Sequence, residues 1–290
     1  MSYKYIENEP MSRHTTFKTG GVAKSFYQIN DIGDLKAVMK ILSESGEKPL
    51  IIGNGSNLLI SDKGIDRPVI DMRSGFDFIE VKDDIIHAGA GAILSKVSTE
   101  AYNNSLSGLE FAHGIPGTVG GAVYMNAGAY GGEIKDVAVS VDALIGGDEV
   151  VIPAEEMDFS YRHSKAMEED MIITGVTLKL NKGSKEEIKE AMDDFTMRRK
   201  EKQPLEYPSA GSTFKRPEGY FAGKLIMDSG LAGLKVGGAM VSPKHCGFII
   251  NYDNASSTDI YNLICKVQEE VYSRFGVKLE PEVKMIGDFS

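Results

Sequence analysis

The sequence predicts a mixed α and β (α+β) fold with more than one domain, and three observations support that prediction. Stretches with the apolar periodicity of helices alternate with short apolar runs of strand length. The length of 290 residues suffices for one large domain or for two to three modest ones. Glycine is in excess, with 32 residues where about 20 are expected from the usual ~7 %.

Four segments have the pattern of amphipathic helices. Apolar residues line one face within 31–46, near 92–103 and over 256–275, where Gly276 ends the pattern. In the fourth segment Ser184 and Glu187 form a capping box that starts a helix, and Pro204 stops it. We therefore expect a domain boundary near 181–185. Strand-like apolar runs occupy 50–52, 68–72, 77–82, 84–88, 137–145, 149–152, 171–180, 247–251 and 283–286.

Composition and charge exclude several functional classes. The net charge of −10 would repel nucleic acid and anionic membranes, so neither is an expected partner. No apolar run reaches the length of about 18 residues that a membrane span needs. The two cysteines, Cys246 and Cys265, form no CxxC motif, and the first residues lack the plan of a signal peptide. We therefore expect a soluble protein of the reducing cytoplasm.

A glycine-rich bend follows the apolar run 50–52. Residues 53–57 read Gly-Asn-Gly-Ser-Asn, in which glycines can turn backbone amides toward a diphosphate. An ordinary strand-to-turn connection explains the same glycines, so this segment alone leaves both interpretations open. Leu58 stands where a dinucleotide-binding Rossmann fingerprint needs its third glycine, and Leu94 does so after Gly89-Ala-Gly91. The motifs GxxxxGK[ST], HExxH and GxSxG do not occur.

Glycine is densest over 108–132, which contains eight of them. Such a segment can lie flat against an extended polar ligand and contact it through backbone amides. Close packing of a helix on a sheet requires small residues as well, and the sequence alone does not decide between the two.

Six segments in order resemble the UDP-N-acetylenolpyruvoylglucosamine reductase (MurB) family, and the resemblance runs nearly end to end. The segments are 14–21 (HTTFKTGG), 53–59 (GNGSNLL), 114–121 (GIPGTVGG), 161–162 (YR), 210–215 (AGSTFK) and 279–283 (LEPEV). The chain is similar to the shorter subtype, since 290 residues leave no room for the inserted substrate-covering loop of longer members. What covers the nucleotide in this chain is therefore open.

The resemblance implies the FAD-binding fold of the vanillyl-alcohol oxidase and p-cresol methylhydroxylase type with a third, substrate-binding domain. The implied parts are FAD subdomain 1 (1–72, completed by the strand 283–290), FAD subdomain 2 (73–182) and a substrate-binding domain (183–282). The FAD is non-covalent, and NADPH is the hydride donor. The implied FAD contacts are Ile52, Gly53, Asn54, Gly55, Ser56, Asn57, Leu58, Gly89, Ala90, Gly114, Ile115, Pro116, Gly117, Thr118, Gly120, Gly121, Ala122, Asn126 and Gly128.

The resemblance also implies three catalytic residues and no metal. Ser212 is the acid that protonates C2 of the substrate, and Arg162 pairs with the enolpyruvyl carboxylate. Glu282 is the third member. Because a serine with an ordinary pKa is a poor acid, a neighbouring cation or a water-mediated proton supply is needed, and Lys215 is a candidate. The expected substrate contacts are Tyr161, Lys215, Arg216, Lys244 and His245.

Arg216 departs from the asparagine that many family members have at this position, and an added cation there would suit a diphosphate. The implied activity is NADPH-dependent reduction of UDP-N-acetylglucosamine enolpyruvate to UDP-N-acetylmuramate, by a monomer with hydride transfer from FAD N5 to C3. Two alternatives stay open at this point. One is a carbohydrate or aldonolactone oxidase of the same fold, and the other is a non-catalytic UDP-sugar-binding protein.

Overall fold

A computed structural model describes residues 2–290 of the chain. The helices are α1 Ile32–Glu44, α2 Leu94–Asn103, α3 Val119–Tyr124, α4 Lys185–Lys202, α5 Ala222–Asp228 and α6 Ser257–Phe275. The first strands are β1 Lys4–Pro10, β2 Val22–Gln28, β3 Leu50–Ile52, β4 Leu58–Ile60, β5 Val69–Asp71, β6 Ile79–Lys82, β7 Ile85–Gly89, β8 Leu106–Ser107 and β9 Gly128–Ala129. They are followed by β10 Gly132–Glu133, β11 Ala138–Ile145, β12 Asp148–Pro153, β13 Met171–Lys179, β14 Asn181–Lys182, β15 Lys235–Val236, β16 Ala239–Val241, β17 Ile249–Asn251 and β18 Lys284–Ile286.

The four predicted helices are confirmed as α1, α2, α4 and α6, and the nine predicted strands are confirmed within a few residues at their ends. The chain divides into two compact units. Unit 1 contains the described residues up to Ile6, Phe26–Asn54 and Arg67–Arg198, and unit 2 contains Glu7–Ser25, Gly55–Asp66 and Arg199–Ser290. The predicted division into two FAD subdomains and a substrate domain stays a prediction.

Unit 1 is built on two sheets that share one apolar core. In the four-stranded sheet β1-β2-β5-β3, β5 lies parallel to both β2 and β3. The five-stranded sheet β12-β11-β13-β7-β6 is antiparallel. α1 begins at the Asp31 cap and buries Leu35, Val38 and Leu42 in the same core as Ile86 and Ala88 of β7. Both sheets are therefore held by one continuous apolar interior.

Packing of the short helix α3 against the end of β7 requires one glycine of the segment 108–132, Gly120. A Cβ atom at Gly120 would lie 2.9 Å from the Cβ of Ala90, and the Gly120 amide donates to the Ala90 carbonyl at 2.8 Å. A side chain at 120 would push α3 away from the end of β7. Close helix–sheet packing therefore accounts for Gly120, while residues 114–118 before the helix form a loop.

Unit 2 is organised around α6. The helix has a reciprocal capping box between Ser256 and Asp259 and ends at Gly276, whose φ of 67° is left-handed. Its fully buried face packs in one core with β16 and β17 of the antiparallel sheet β15-β16-β17. The residues of that face are Ile260, Leu263, Ile264, Val267 and Val271. β18 pairs with β4 in parallel, from Lys284 opposite Leu58 to Ile286 opposite Ile60.

Within residues 2–290, no helix has the length and apolar character needed to cross a membrane. The same part of the chain has no cluster of three or more His, Cys, Asp or Glu side chains placed to hold a metal ion.

Candidate active site

Two of the predicted glycine-rich segments meet in unit 1. Gly53 directly follows β3, and Thr118 directly precedes α3. A Cβ atom at Gly53 would lie 2.0 Å from Thr118 Oγ1, so any side chain there would force the segments apart. Asn54 Nδ2 donates to the Pro116 carbonyl at 2.6 Å, across 62 positions of sequence. The fold therefore brings 53–54 into direct contact with 116–118.

This contact lies at the carboxyl end of parallel strands. Ile52, the last residue of β3, is paired with Asp71, the last residue of β5. Asp71 is 1 % exposed, and Arg73 holds both of its oxygens, with Nε to Oδ1 at 2.9 Å and Nη2 to Oδ2 at 2.7 Å. Ligands of open α/β sheets bind at such carboxyl ends, which places Gly53 and Asn54 at a favourable edge.

Several other predicted cofactor residues have backbone partners within unit 1. The Ala90 amide donates to the Thr174 carbonyl at 2.9 Å, and the Gly117 carbonyl accepts from the Leu94 amide at 3.0 Å. The Ile115 amide donates to Ala112, and Ala122 is buried inside α3. Gly121 is different, because a Cβ there would meet only Thr118 Oγ1, at 3.7 Å. These residues hold the loop and α3 in place, and the face of α3 at Gly121 is open. Cofactor contacts by them stay predictions.

The second half of the first glycine segment lies in unit 2. Gly55 has a left-handed φ of 59°, and a Cβ there would lie 1.9 Å from the His14 carbonyl oxygen. The neighbouring Thr16 amide donates to the Gly55 carbonyl at 3.3 Å. The segment 14–16 therefore packs on the bend at Gly55, so two of the segments that carry the family resemblance lie in contact.

Asn57, a predicted cofactor residue, holds the segment of a predicted catalytic residue. Its Nδ2 donates to the Glu282 carbonyl at 3.1 Å, and its own carbonyl accepts from the Lys284 amide at 2.9 Å. Leu58 follows as the first residue of β4, paired with Lys284 of β18. The turn 53–57 therefore leads directly into β4, whose pairing with β18 fixes the C-terminal strand.

Ser212 and Glu282, two of the three predicted catalytic residues, belong to paired segments of unit 2. The buried Thr213 carbonyl accepts from the Glu282 amide at 2.8 Å, and Phe214 forms an antiparallel bridge with Pro281. The Thr213 amide donates to Gly247, and its Oγ1 accepts from the Ile249 amide at 3.0 Å. Ser212 itself is exposed. A fixed backbone on its C-terminal side therefore presents an accessible hydroxyl.

Arg162, the third predicted catalytic residue, lies at the tip of a tight hairpin in unit 1. Ser160 and His163 exchange backbone hydrogen bonds of 3.2 Å in both directions, which leaves Tyr161 and Arg162 as the two loop residues. Arg162 has a φ of 56°, a left-handed conformation that costs a non-glycine residue about 1–3 kcal/mol. Its Nη2 donates to the Gly128 carbonyl at 3.3 Å. The exposed Tyr161 ring lies 5.2 Å from the guanidinium carbon.

The predicted substrate-contacting cations have protein partners inside unit 2. Lys215 pairs with the exposed Glu280 carboxylate, and the Arg216 guanidinium lies 4.0 Å from the centre of the Phe221 ring. Lys244 donates to the Lys200 carbonyl at 2.8 Å, near the C-terminal end of α4, where a cation is favourable.

His245 is held as an acceptor. Its Nδ1 accepts from the Gly247 amide at 3.1 Å, and burial lowers the pKa of the imidazole. The ring is therefore neutral at neutral pH. Because the Gly247 carbonyl accepts from the Thr213 amide, His245 supports the backbone that carries Ser212.

Two buried polar atoms test whether these segments fit a polar cofactor. Thr16 Oγ1 and His113 Nδ1 have no hydrogen-bond partner within residues 2–290. Thr16 lies on the bend at Gly55, and His113 directly precedes the loop 114–118. Buried polar groups nearly always have a partner, so an orphaned atom beside a glycine segment, Thr16 in unit 2 and His113 in unit 1, fits a polar group of a bound ligand in each case. Neither side chain is a site residue predicted from the sequence, although Thr16 belongs to the motif 14–21.

Comparison with known families covers most of the chain. Residues 23–152 match the FAD binding domain family, and residues 203–286 match the family described as UDP-N-acetylenolpyruvoylglucosamine reductase, C-terminal domain. The mixed α and β fold with an FAD-binding domain is thereby confirmed.

Several proteins that match nearly the whole chain share one name. A UDP-N-acetylenolpyruvoylglucosamine reductase of Agathobacter rectalis is 52 % identical over 98 % of this chain and 94 % of its own. One of Clostridioides difficile is 47 % identical over 97 % of this chain and 93 % of its own. The crystal structure of the Thermus caldophilus enzyme matches with a TM-score of 0.86 at 36 % identity, covering 99 % of this chain and all of that one. The chain therefore belongs to the UDP-N-acetylenolpyruvoylglucosamine reductase family.

Proposed function

We propose that the chain is an FAD-dependent oxidoreductase that uses NADPH to reduce UDP-N-acetylglucosamine enolpyruvate to UDP-N-acetylmuramate. The observation that carries the proposal is similarity to named reductases along nearly the full chain, 52 % in one case. The pairing of the Ser212 and Glu282 segments supports the proposal, because these two segments carry a hydroxyl and a carboxyl group, which are suited to proton transfer and charge stabilisation. The step belongs to peptidoglycan synthesis.

The reaction adds a hydride to C3 and a proton to C2 of the enolpyruvyl double bond, while NADPH becomes NADP⁺. FAD, held by the glycine segments 53–57 and 114–118, would supply the hydride transfer from NADPH to C3. The protein must hold the substrate, stabilise the charge that develops on its carboxylate and deliver the proton.

Ser212 delivers the proton to C2 in this proposal. Its hydroxyl is exposed, while the next residue is fixed by hydrogen bonds to four backbone groups, so the donor has a defined position. Lys215 is held by Glu280, so a role for its charge beside Ser212 would require that this exposed ion pair opens. A proton supply through water is therefore the simpler route.

Arg162 binds the enolpyruvyl carboxylate and stabilises the negative charge that grows there during hydride addition. A turn position with φ of 56° normally favours glycine, so retaining an arginine there costs stability. A functional demand on its side chain explains that cost. Glu282 is the third catalytic residue in this proposal, and its carboxyl group would help to stabilise the charge that develops on the substrate.

The cofactor is held mainly by backbone amides in this proposal. The Gly53–Asn54 turn and the loop 116–118 would contact it in unit 1, and Gly55–Asn57 with Thr16 in unit 2. The complex is non-covalent in this proposal, since the contacts are hydrogen bonds from backbone amides. Arg216 would bind the diphosphate of the substrate.

We propose further that the chain functions as a cytoplasmic monomer. The described thiols of Cys246 and Cys265 are unpaired, which suits a reducing compartment. Sedimentation of the purified protein tests the oligomeric state, and a dimer at micromolar concentration would contradict a monomer.

The decisive experiment separates the two half-reactions of purified protein. Ser212→Ala should leave NADPH reduction of bound FAD near the wild-type rate and slow reoxidation by UDP-N-acetylglucosamine enolpyruvate by about 10²- to 10⁴-fold, because only the second step needs the proton donor. Anaerobic stopped-flow absorbance of the flavin measures both rates. Ser209→Ala, three residues upstream, is the matched control and should change neither rate.

Three outcomes would contradict the proposal. Equal slowing of both half-reactions by Ser212→Ala would remove Ser212 from its role. Rapid reoxidation by air, with no response to the enolpyruvyl substrate, would favour the oxidase alternative. A colourless protein that binds UDP-sugars without flavin would favour a binding protein.

A further inference from the structure

Asn126 is buried with every hydrogen-bonding group of its carboxamide in use. It is 0 % exposed and follows α3 with a left-handed φ of 41°. Its Nδ2 donates to Glu133 Oε2 at 2.7 Å and to the Ser160 carbonyl at 2.9 Å, and its Oδ1 accepts from the Lys135 amide at 3.0 Å. One side chain therefore ties the segment 132–135 to the segment 158–163.

The Ser160 end of this network is the base of the Arg162 hairpin. The Ser160 carbonyl accepts from Asn126 and also from the His163 amide, which closes the hairpin. Ser164, also 0 % exposed, donates through its hydroxyl to the Tyr124 carbonyl at 2.8 Å, just before Asn126. The hairpin is therefore fastened to the C-terminal end of α3 on both sides.

The Glu133 end of the network is the base of a second hairpin. Gly128 pairs with Glu133, and Gly128 is also the residue whose carbonyl accepts from Arg162 Nη2 at 3.3 Å. Burial acts to raise the pKa of Glu133, but hydrogen bonds from Lys135 and Asn126 and the charges of Lys135 and Arg162 outweigh it and lower the pKa. Glu133 is therefore an ionised acceptor at neutral pH.

Arg162 has a strained backbone, and strained residues persist only where their surroundings over-determine them. Asn126 is the side chain that joins both hairpins on which Arg162 depends. We propose that Asn126 is a positioning residue for Arg162, rather than a ligand of the cofactor through its side chain. This inference rests on the proposed role of Arg162 in binding the substrate carboxylate.

The test compares Asn126→Gly and Arg162→Ala, alone and combined, in the FAD-loaded protein. Glycine keeps the left-handed backbone at 126 and deletes only the carboxamide. Asn126→Gly should slow flavin reoxidation by UDP-N-acetylglucosamine enolpyruvate on the order of 10²-fold, since a displacement near 1 Å has that effect. The rate of reduction by NADPH and the FAD dissociation constant should stay near their wild-type values. The melting temperature of the apoprotein should fall no further than that of the control variant.

The double variant gives the specific readout. If Asn126 acts through Arg162, Asn126→Gly should change the reoxidation rate less than about 2-fold in the Arg162→Ala background, because the group it positions is gone. Asn126→Asp is the second variant for the case in which glycine impairs folding. It keeps the acceptor for Lys135 but turns a carboxylate toward Glu133, and it should slow reoxidation at least as much.

Asp34→Ala is the matched control. Asp34 is 3 % exposed and accepts from the Ser2 amide at 2.8 Å, the Ser2 hydroxyl at 2.7 Å and the Asn30 amide at 3.3 Å, so this variant also deletes a buried side chain with three hydrogen bonds in unit 1. It should lower the melting temperature and leave both half-reactions of the folded protein unchanged. Multiplying effects in the double variant, or a loss of FAD affinity that accounts for the slower rate, would overturn the inference. If Arg162→Ala itself leaves reoxidation unchanged, the proposed role of Arg162 fails instead.

Discussion

Thr15 and Thr16 are adjacent threonines whose hydroxyl groups have different surroundings. Thr15 Oγ1 donates to the Thr19 carbonyl at 2.9 Å, whereas the buried Thr16 Oγ1 has no partner within residues 2–290. A buried hydroxyl without a partner costs free energy that a bound ligand can recover. The pair therefore separates a hydroxyl that stabilises the fold from a hydroxyl that we propose binds the cofactor.

Thr16→Val should weaken FAD binding about 10- to 100-fold, because a hydrogen bond to a charged group is lost. The apoprotein should keep or gain free energy of unfolding, since no protein hydrogen bond is removed and a buried hydroxyl without a partner is replaced by a methyl group. Flavin fluorescence titration and urea unfolding of the apoprotein measure the two quantities.

Thr15→Val is the control and should give the opposite pattern. It leaves the Thr19 carbonyl unsatisfied and should lower the free energy of unfolding by about 1–3 kcal/mol, with the FAD affinity of the folded protein unchanged. If Thr16→Val destabilises the apoprotein and spares FAD binding, Thr16 has no role at the cofactor.

At the scale of elements, α6 depends on a carboxylate from a distant segment. Asp62 accepts from the Ser257 and Thr258 amides at 2.9 and 2.8 Å, and from the Thr258 hydroxyl at 2.7 Å. Burial acts to raise the pKa of Asp62, but these hydrogen bonds outweigh it and lower the pKa. The segment 55–66 is thereby fastened to the N-terminus of the central helix of unit 2.

Asp62→Ala should lower the free energy of unfolding by about 0.5–2 kcal/mol at pH 7, as for loss of a helix cap. Because the folded-state pKa is depressed, the ionised cap contributes fully above the unfolded pKa of about 3.9 and is lost as pH falls through the lower folded value. The difference between wild type and Asp62→Ala should therefore shrink below about pH 4.

Asp66→Ala is the control for this prediction. Asp66 forms an ion pair with Lys24, and both side chains are exposed, at 91 % and 67 %. Such a pair contributes little, so its loss should change unfolding by less than about 1 kcal/mol. Urea unfolding at pH 7 and pH 3 measures both variants, and a difference for Asp62→Ala that grows in acid would contradict the proposed cap.

Long elements could be predicted from the sequence, and short ones could not. α1 and α6 span 13 and 19 residues, long enough for the helical period to be unambiguous. α3 has six residues, two of them glycine, and forms because Gly120 packs on Ala90. β1, in KYIENEP, exposes most of its side chains and so lacks an apolar signal. Tertiary contacts, which no local pattern encodes, determine such elements.

The sequence predicts the segments of the candidate site but does not predict which of their residues are in contact. The glycine segments at 53–57 and 114–121 were each identified from composition and family resemblance. Their meeting at Gly53 and Thr118 depends on strand pairing far apart in sequence, which periodicity does not report. The family resemblance predicts Asn126 as a cofactor residue, whereas the partners of its side chain in the structure are Glu133, Ser160 and Lys135. Thr16 could be recognised only once its hydroxyl was seen to lack a partner.

At the scale of the whole molecule, both compact units are discontinuous in sequence. The turn 53–57 contributes residues to each, since the chain leaves unit 1 after Asn54 and enters unit 2 at Gly55. Asn57 then fastens the Glu282 segment, so a single turn is connected to predicted cofactor contacts and to a predicted catalytic residue. The central claim is therefore that this turn, with the loop it meets in unit 1, binds FAD through the backbone.

The titration of apoprotein with FAD tests that claim most directly in Gly53→Ala and in Gly53→Ala combined with Thr118→Ala. The added methyl group would lie 2.0 Å from Thr118 Oγ1, so Gly53→Ala should force the two segments apart and weaken FAD binding about 10- to 100-fold. Thr118→Ala removes that oxygen and should restore most of the affinity. Wild-type affinity in Gly53→Ala, or no recovery in a folded double variant, would contradict a cofactor site at this contact.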